Sequence, residues 1–429
     1  MRFLKLLLFI VLLSTSGQLF AGINIQGLEY NLDGSEKSAV AVGLSGDQTD
    51  IVVPGSVIFN GNEYAVVRVK GDIFQNSKVT SVTFSEDFNG EIDDENSPFF
   101  ENCSELVSVV WPRNLDSVPW CCFKNCQKLK SVSWSNTIRT IGSQAFQDCT
   151  SLESISLPDS LKTIEWDTFS GCTGLKEVNL PASLESLEAY TFSGCSSLAQ
   201  ITLPQGVKTV YGDAFKATAI RNLSIPNSVL TLTTIYGDSL RTLRLEDGTD
   251  SLHVEGNSWI VDTDSLENLY YGRNLAEYKL HHSWKFKTLE IGKYIEDLVS
   301  QISFSADTIG KIYVYRNIPP VCQMTTSVYN PWLDIYVDRV LSALNLTDKE
   351  PTTLYVPQGS LDAYAHAEVW KDFIDVQEFV PSGISGVMTT EGETVIAHYD
   401  LSGCRIPSDK KGLHIVKYTN GTSKKVVIP

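Results

Sequence analysis

The chain has 429 residues, 42% of them hydrophobic and 20% charged, with a formal charge of −17. This length is about three times that of a typical single domain, and the composition excludes the low-hydrophobicity class of disordered chains. The acidic balance is spread along the sequence, which excludes nucleic acid and anionic membrane surfaces as partners, since both require clustered Lys and Arg.

The first 21 residues stand apart. Arg2 and Lys5 precede an apolar run from Leu6 to Leu13, and a polar stretch then ends at Leu19-Phe20-Ala21-Gly22. That is the order of a secretory signal peptide, with cleavage after Ala21. The run falls short of the ~20 apolar residues of a membrane span. No cysteine near the cleavage point would take a lipid, and no later segment could cross a bilayer. The mature chain is therefore expected outside the cytoplasm, secreted or at the bacterial cell surface, with no membrane insertion. Residues 22–70 read as short strands forming an N-terminal β cap. Within it, Val57-Ile-Phe59, a turn at Asn60-Gly61 and Tyr64-Ala-Val-Val-Arg-Val69 make a hairpin.

From residue 71 the chain repeats. Phe100, Phe123, Phe146, Phe169, Phe192 and Phe215 are each 23 residues apart, and Phe74 precedes them by 26. Cys103, Cys126, Cys149, Cys172 and Cys195 follow their phenylalanines by three, and Thr218 takes that place in the last unit. After each cysteine comes Leu-x-x-hydrophobic-x-hydrophobic, as in Leu152, Ile155 and Leu157, and then a second apolar pair such as Leu161 and Ile164. A unit with one short strand and one turn-rich return cannot bury its apolar side alone, so the units must stack as a solenoid with Phe and Cys in rows.

The strand persists in looser form at Leu240-x-x-Leu243-x-Leu245, Leu266-x-x-Leu269-x-Tyr271, Phe286-x-x-Leu289-x-Ile291 and Ile309-x-x-Ile312-x-Val314. Leu354-Tyr-Val356-Pro357 reads as a final rung. Ser360 then suits the N-cap of a helix running through Leu361 to Trp370, which would close the solenoid end. The solenoid with this helix spans 71–380. Residues 382–429 read as a small C-terminal β module, with strands at Val395–Tyr399, Leu413–Tyr418 and Lys425–Ile428.

The unit Phe-x-x-Cys-x-x-Leu-x-x-Ile-x-Leu-Pro-x-x-Leu-x-x-Ile, seen from Phe146 to Ile164, resembles the BspA-type leucine-rich repeats of bacterial surface proteins. The likeness is specific over roughly 71–226 and weaker to about 380. Thr353 to Tyr364 with Trp370-Lys-Asp-Phe373 is similar to that family's closing segment. Tyr399-Asp-Leu-Ser-Gly403 and Lys411 to Val416 resemble a C-terminal sorting module of exported proteins, from which Cys404 departs where Arg is familiar. The resemblance implies a mainly β leucine-rich-repeat solenoid used for adhesion or host and matrix contact, with no catalytic residues.

No chemistry competes with that reading. Equivalent cysteines on adjacent rungs point in parallel, with Cβ atoms near the ~4.8 Å rung spacing rather than the ~3.8 Å of a disulfide, so buried thiols are expected. Cys121 and Cys122 are adjacent in sequence. The six histidines lie outside the regular repeats, and no metal-binding spacing, calcium loop, nucleophile elbow or phosphate loop occurs. Neither an enzyme activity nor a cofactor is expected. Asp93-Asp94-Glu95 and Glu246-Asp247-Gly248-Thr249-Asp250 read as solvated turns.

Aromatics are the remaining candidates. Trp111 and Trp134 hold the last inward strand position and are expected in the core. Trp120 and Trp166 stand three residues before a row phenylalanine, where Ser143, Ala189 and Gly212 stand elsewhere, so they are expected at the surface. Outward strand positions change from Ser131/Ser133 and Ser154/Ser156 to Thr242/Arg244, Asn268/Tyr270, Lys311/Tyr313 and Thr353/Tyr355. Arg244, Tyr270, Tyr313 and Tyr355 thus form a second candidate surface of the kind that binds partners, although aromatics also simply suit strands. The expected function is protein–protein binding or adhesion to an extracellular host or matrix protein. The alternative is glycan binding through the tryptophans or tyrosines, and a third reading is surface-layer material that associates only with itself.

Overall fold

In a computed structural model the chain divides into two compact units: Met1–Leu245 with Asp250–Asn268 and Leu275–Trp284, and Glu246–Thr249 with Leu269–Asn274 and Lys285–Pro429. The structure describes residues 18–93, 98–211, 213–233, 235–255, 261–262, 265–276, 287–298, 304–305, 309–330, 335–342, 344–345, 352–381, 395–399, 405–406, 412–418 and 423–428. Most of the expected leader, together with Asp94, Glu95, His281, His282, Phe286 and Cys404, lies outside the described residues.

The first unit opens with a sheet in which Leu19–Ile25, Leu28–Asp33 and Ser38–Leu44 run antiparallel, and Asn62–Lys70 joins parallel to the third. The hairpin between Ser56–Phe59 and Asn62–Lys70 forms as read. Its turn residues Asn60 and Gly61 have φ of 50° and 75°, the left-handed pair whose twist matches the flanking strands. The first strand crosses the expected cleavage point, and its register shifts between Phe20 and Ile23.

Already at Asp50–Val53 the chain enters the stacked ladder. That strand pairs in parallel with Ser81–Phe84, followed by Ser108–Val110 and Ser131–Ser133, so that Ile51, Val82, Val109 and Val132 align inward. Ser154–Ser156 and Glu177–Asn179 repeat the pairing, with Ile155 beside Val178. A second parallel sheet of seven strands is built from the second apolar pairs. In it Val118, Ile141, Ile164, Leu187, Val210 and Leu232 form the buried row and Ser117, Thr140, Thr163, Ser186, Thr209 and Thr231 the opposite one.

Between the sheets the phenylalanines stack as the 23-residue period requires. From Phe74 through Phe100, Phe123, Phe146, Phe169, Phe192 and Phe215, successive ring centroids are 5.2, 5.3, 4.9, 5.2, 5.5 and 6.5 Å apart and nearly parallel. Burial of each ring contributes roughly 1.5–3 kcal/mol. The cysteine row does more than fill space. The Cys126, Cys149, Cys172 and Cys195 thiols donate to the carbonyls of Phe100, Phe123, Phe146 and Phe169 in the preceding coil, at 3.0–3.1 Å. These row cysteines are free thiols.

Each coil turns twice through left-handed backbone, two residues before and two after the phenylalanine. The first position is Cys121, Gln144, Asp167 and Tyr190, with φ from 51° to 59°. The second is Asn102, Asn125, Asp148, Gly171 and Gly194, residue types that tolerate this region best. There Asn125 donates through its amide to Asn102, and Asn102 to Asn76, at 2.8 and 3.0 Å. Exposed pairs such as Lys128–Glu105 and Lys176–Glu153 also bridge coils, each contributing about 0–1 kcal/mol.

Trp111 is buried against Phe84, Phe99 and Phe123. Trp134 differs from the expectation. It is half-buried, because its indole N–H reaches out to the Ser156 carbonyl at 2.8 Å.

The second unit keeps the strand where the repeat loosens. Leu269–Tyr271, Thr288–Ile291, Lys311–Val314, Thr353–Pro357 and Asp375–Phe379 lie in order in a parallel sheet. Leu289, Ile291, Ile312, Val314, Leu354 and Val356 make its buried face. The solenoid segment also contains an antiparallel hairpin, Gln323–Asn330 with Ile335–Ser342, which the repeat does not announce. The closing helix is shorter than read. It covers Leu361–His366 and is followed by a 3-10 turn at Trp370–Asp372, after Val369 has turned left-handed at φ 72°. Ser360 is not a side-chain cap: its hydroxyl donates back to the Pro357 carbonyl. The cap is pinned instead by the Tyr364 hydroxyl on the Arg316 carbonyl and the Trp370 indole on the Pro320 carbonyl, both at 2.8 Å. Further on, Val395–Tyr399, Arg405–Ile406, Gly412–Tyr418 and Ser423–Ile428 form a four-stranded antiparallel sheet.

Candidate aromatic binding surfaces

On the sheet of the second unit, alternation turns Glu290, Tyr313 and Tyr355 away from the buried face. Parallel in-register pairing sets Tyr313 directly beside Tyr355, and their rings stack at 4.3 Å and 8°. Phe379 stands edge-on to Tyr313 at 5.6 Å and to Tyr315 at 5.3 Å. The Tyr315 hydroxyl donates to Glu290 at 2.6 Å. Burial, then the neighbouring Tyr355 and Glu290, push the Tyr313 phenol above its ordinary range. The result is a half-buried aromatic cluster with fixed rotamers, beside exposed Lys311 and Glu378.

Tyr270 does not share that exposure. It is only 1% exposed, with its hydroxyl donating to Asp247 at 2.9 Å and its ring 5.8 Å from Tyr315. Strand alternation turned it outward, but Asp247, expected in a solvated turn, packs over it. Gly292 makes the approach possible, since a Cβ there would stand 2.5 Å from the Asp247 carboxylate. Tyr270 therefore leaves the candidate set. Arg244 lies in the first unit, half-buried on Thr242–Leu245.

The tryptophan expectation leads to the turn edge of the first unit. Trp120 and Trp166 are 45% and 50% exposed, and Tyr190, which the column comparison passes over, is 41% exposed. Tyr190 follows Ala189 by one residue, and its left-handed backbone turns it to the surface. Its hydroxyl donates to Asp213, and that bond together with the carboxylate charge raises the Tyr190 phenol above its ordinary value. Asp213 is buried, and its Oδ1 has no hydrogen-bond partner. Coil-to-coil bonds hold this edge: Cys121 N–H to Ser143, Gln144 N–H to Trp166 and Asp167 N–H to Ala189, at 2.9–3.0 Å.

The row thiols offer no nucleophile. Burial pushes Cys126, Cys149 and Cys172 far up and Cys195 up to about 12, and a reactive cysteine needs the opposite shift. Among the described residues no three His, Cys, Asp or Glu side chains gather as a metal site, and no helix is long and apolar enough to cross a membrane.

Residues 58–133 and 116–239 match the family model of the BspA type leucine rich repeat region, in six copies. No curated protein matches the chain. Among solved structures, a leucine-rich repeat protein from Bacteroides ovatus is 20% identical, covers 83% of this chain and 99% of its own, and has a TM-score of 0.45. A leucine rich cell surface protein from Faecalibacterium prausnitzii is 19% identical over 70% and 86%, with a TM-score of 0.34. The T. pallidum leucine rich repeat protein is 23% identical over 44% and 84%, with a TM-score of 0.35.

Proposed function

Because the chain carries a BspA-type leucine-rich repeat region over residues 58–133 and 116–239, we propose that it is a non-catalytic binding scaffold, exported to the cell surface or beyond it, that engages an extracellular protein. The carrying observation is the Tyr313–Tyr355 stack, backed by Phe379 and rimmed by Lys311 and Glu378. Rigid, half-buried aromatics with a charged rim are the composition of protein-binding hot spots, because little side-chain entropy remains to be lost on association. The leader-like first 21 residues support export.

An array of extracellular matrix and host surface proteins probed with the full chain tests this reading. Tyr313→Ala and Tyr355→Ala should each weaken capture by roughly 2 kcal/mol. Capture indifferent to both changes, or recovery of the chain only from the cytoplasmic fraction of producing cells, would overturn it. Glycan binding is a second reading, favoured by the exposed indoles of the first unit.

A further inference from the structure

One exposed aromatic on a surface needs no explanation. Trp120, Trp166 and Tyr190 are three, on one edge of successive coils, at or beside positions where other coils use Ser143 and Ala189. The phenylalanine rows beneath are 4.9 and 5.2 Å apart, so the two indoles stand two coil spacings from each other. Between them the Ser143 N–H and hydroxyl both donate to Glu165, at 2.9 and 2.7 Å, fixing that carboxylate in place. On the next coils Tyr190 donates to Asp213, whose side chain is 9% exposed and whose Oδ1 lacks any partner. A buried acceptor without a donor is costly, and a ligand that brings one is rewarded.

We propose that Trp120, Trp166, Tyr190 and Asp213 form a binding site for a neutral, extended polysaccharide. A pyranose ring joins an apolar C–H face, which lies on an indole or phenol, to a rim of hydroxyls, one of which can donate to Asp213 Oδ1. Aromatics repeated at a fixed interval suit a ligand whose flat faces recur along a line, as in a linear β-linked glycan. Glu165, Asp167, Glu188 and Asp213 along the edge disfavour uronates and sulfated sugars. A cationic side chain of a partner protein is the other group that rings and a carboxylate accept. The edge already holds cations, however. Lys216 lies 5.7 Å over the Tyr236 ring and Lys124 donates to Gln144. The one open acceptor is buried beside a hydroxyl, a place for a neutral donor more than for an ammonium.

The site is separate from the tyrosine stack, so the two readings fail independently. Affinity electrophoresis of the full chain through gels containing barley β-glucan, glucomannan or alginate tests it, beside a fluorescence titration with a lysine-rich peptide. One or both neutral polysaccharides should retard the chain, and alginate should not. Trp166→Ala and Asp213→Asn should each weaken that binding roughly tenfold, and Tyr294→Ala, an exposed aromatic elsewhere, should not change it. If Asp213→Asn disturbs the circular dichroism spectrum, the double change Trp120→Ala/Trp166→Ala at exposed positions carries the test. No retardation by either neutral polysaccharide, retardation that survives the double change, or loss confined to the lysine-rich peptide would each overturn the proposal.

Discussion

Phe146 is the ring on which the stacked interior can be tested most directly. It lies 4.9 Å from Phe123 and 5.2 Å from Phe169, with the Trp134 indole edge-on at 5.9 Å, and it is fully buried. Truncating a buried Phe to Ala costs about 3–5 kcal/mol, and every aromatic pair lost adds about 0.5–1.5 kcal/mol. With three such pairs gone, Phe146→Ala should fall at the top of that range, near 5 kcal/mol. Phe215 ends the row with a single ring neighbour at 6.5 Å, so Phe215→Ala should cost about 3 kcal/mol. Each coil touches only its neighbours, so losing a mid-row ring also uncouples the coils on either side and should broaden or split the unfolding transition. Urea titration followed by tryptophan fluorescence and by circular dichroism reads both effects. A Phe146→Ala cost no larger than that of Phe215→Ala, with one sharp transition, would refute the shared interior.

Two further outcomes follow from the coil geometry. Burial holds the row thiols protonated, Cys195 up to about 12, whereas an unfolded thiol titrates at roughly 8.5. The folded chain therefore keeps protons that the unfolded chain releases: the contribution is complete below about pH 8.5 and is lost as pH rises through the folded value. The melting temperature should fall between about pH 8 and about pH 11, less steeply in Cys149→Ala/Cys172→Ala; equal slopes would contradict the burial argument. Gly171 has φ +73°, and a Cβ there meets the Asp148 carboxylate, whereas at Gly194, φ +76°, the nearest atom is 3.4 Å away. Gly194→Ala should cost about 1–2 kcal/mol for the left-handed backbone alone. Gly171→Ala should cost more, and Gly171→Asn less than Ala because Asn tolerates that region. Urea midpoints decide, and the reverse order of the two alanine variants would count against the geometry.

The fold of the repeat was legible because the signal is periodic: one coil constrains the next, so Phe123, Phe146 and Phe169 declare a row before any coordinates. Exposure was legible only where it follows from the coil itself. Trp120 and Trp166 occupy a position that other coils fill with Ser and Ala, and both are exposed. Tyr270 looked alike on its strand, yet its burial is decided by Asp247 and Tyr315, more than 20 residues away on either side. Asp213 was invisible for a similar reason, since its role depends on the Tyr190 hydroxyl one coil earlier. The thiol-to-carbonyl bonds escaped too. A recurring cysteine reads as a small hydrophobe, and the donor role appears only once the preceding coil's Phe carbonyl is placed above it.

The coil pitch also works as a ruler. Side chains at one place in successive units are graduated by a single rung, ~4.8 Å. Duplicating or deleting one 23-residue coil between Phe146 and Phe169 would therefore shift Trp166 along the edge by one graduation and leave the coil-to-coil bonds to re-form unchanged. Chains of this kind can retune the interval between contact points by copy number alone, while the chemistry of each contact stays as it was.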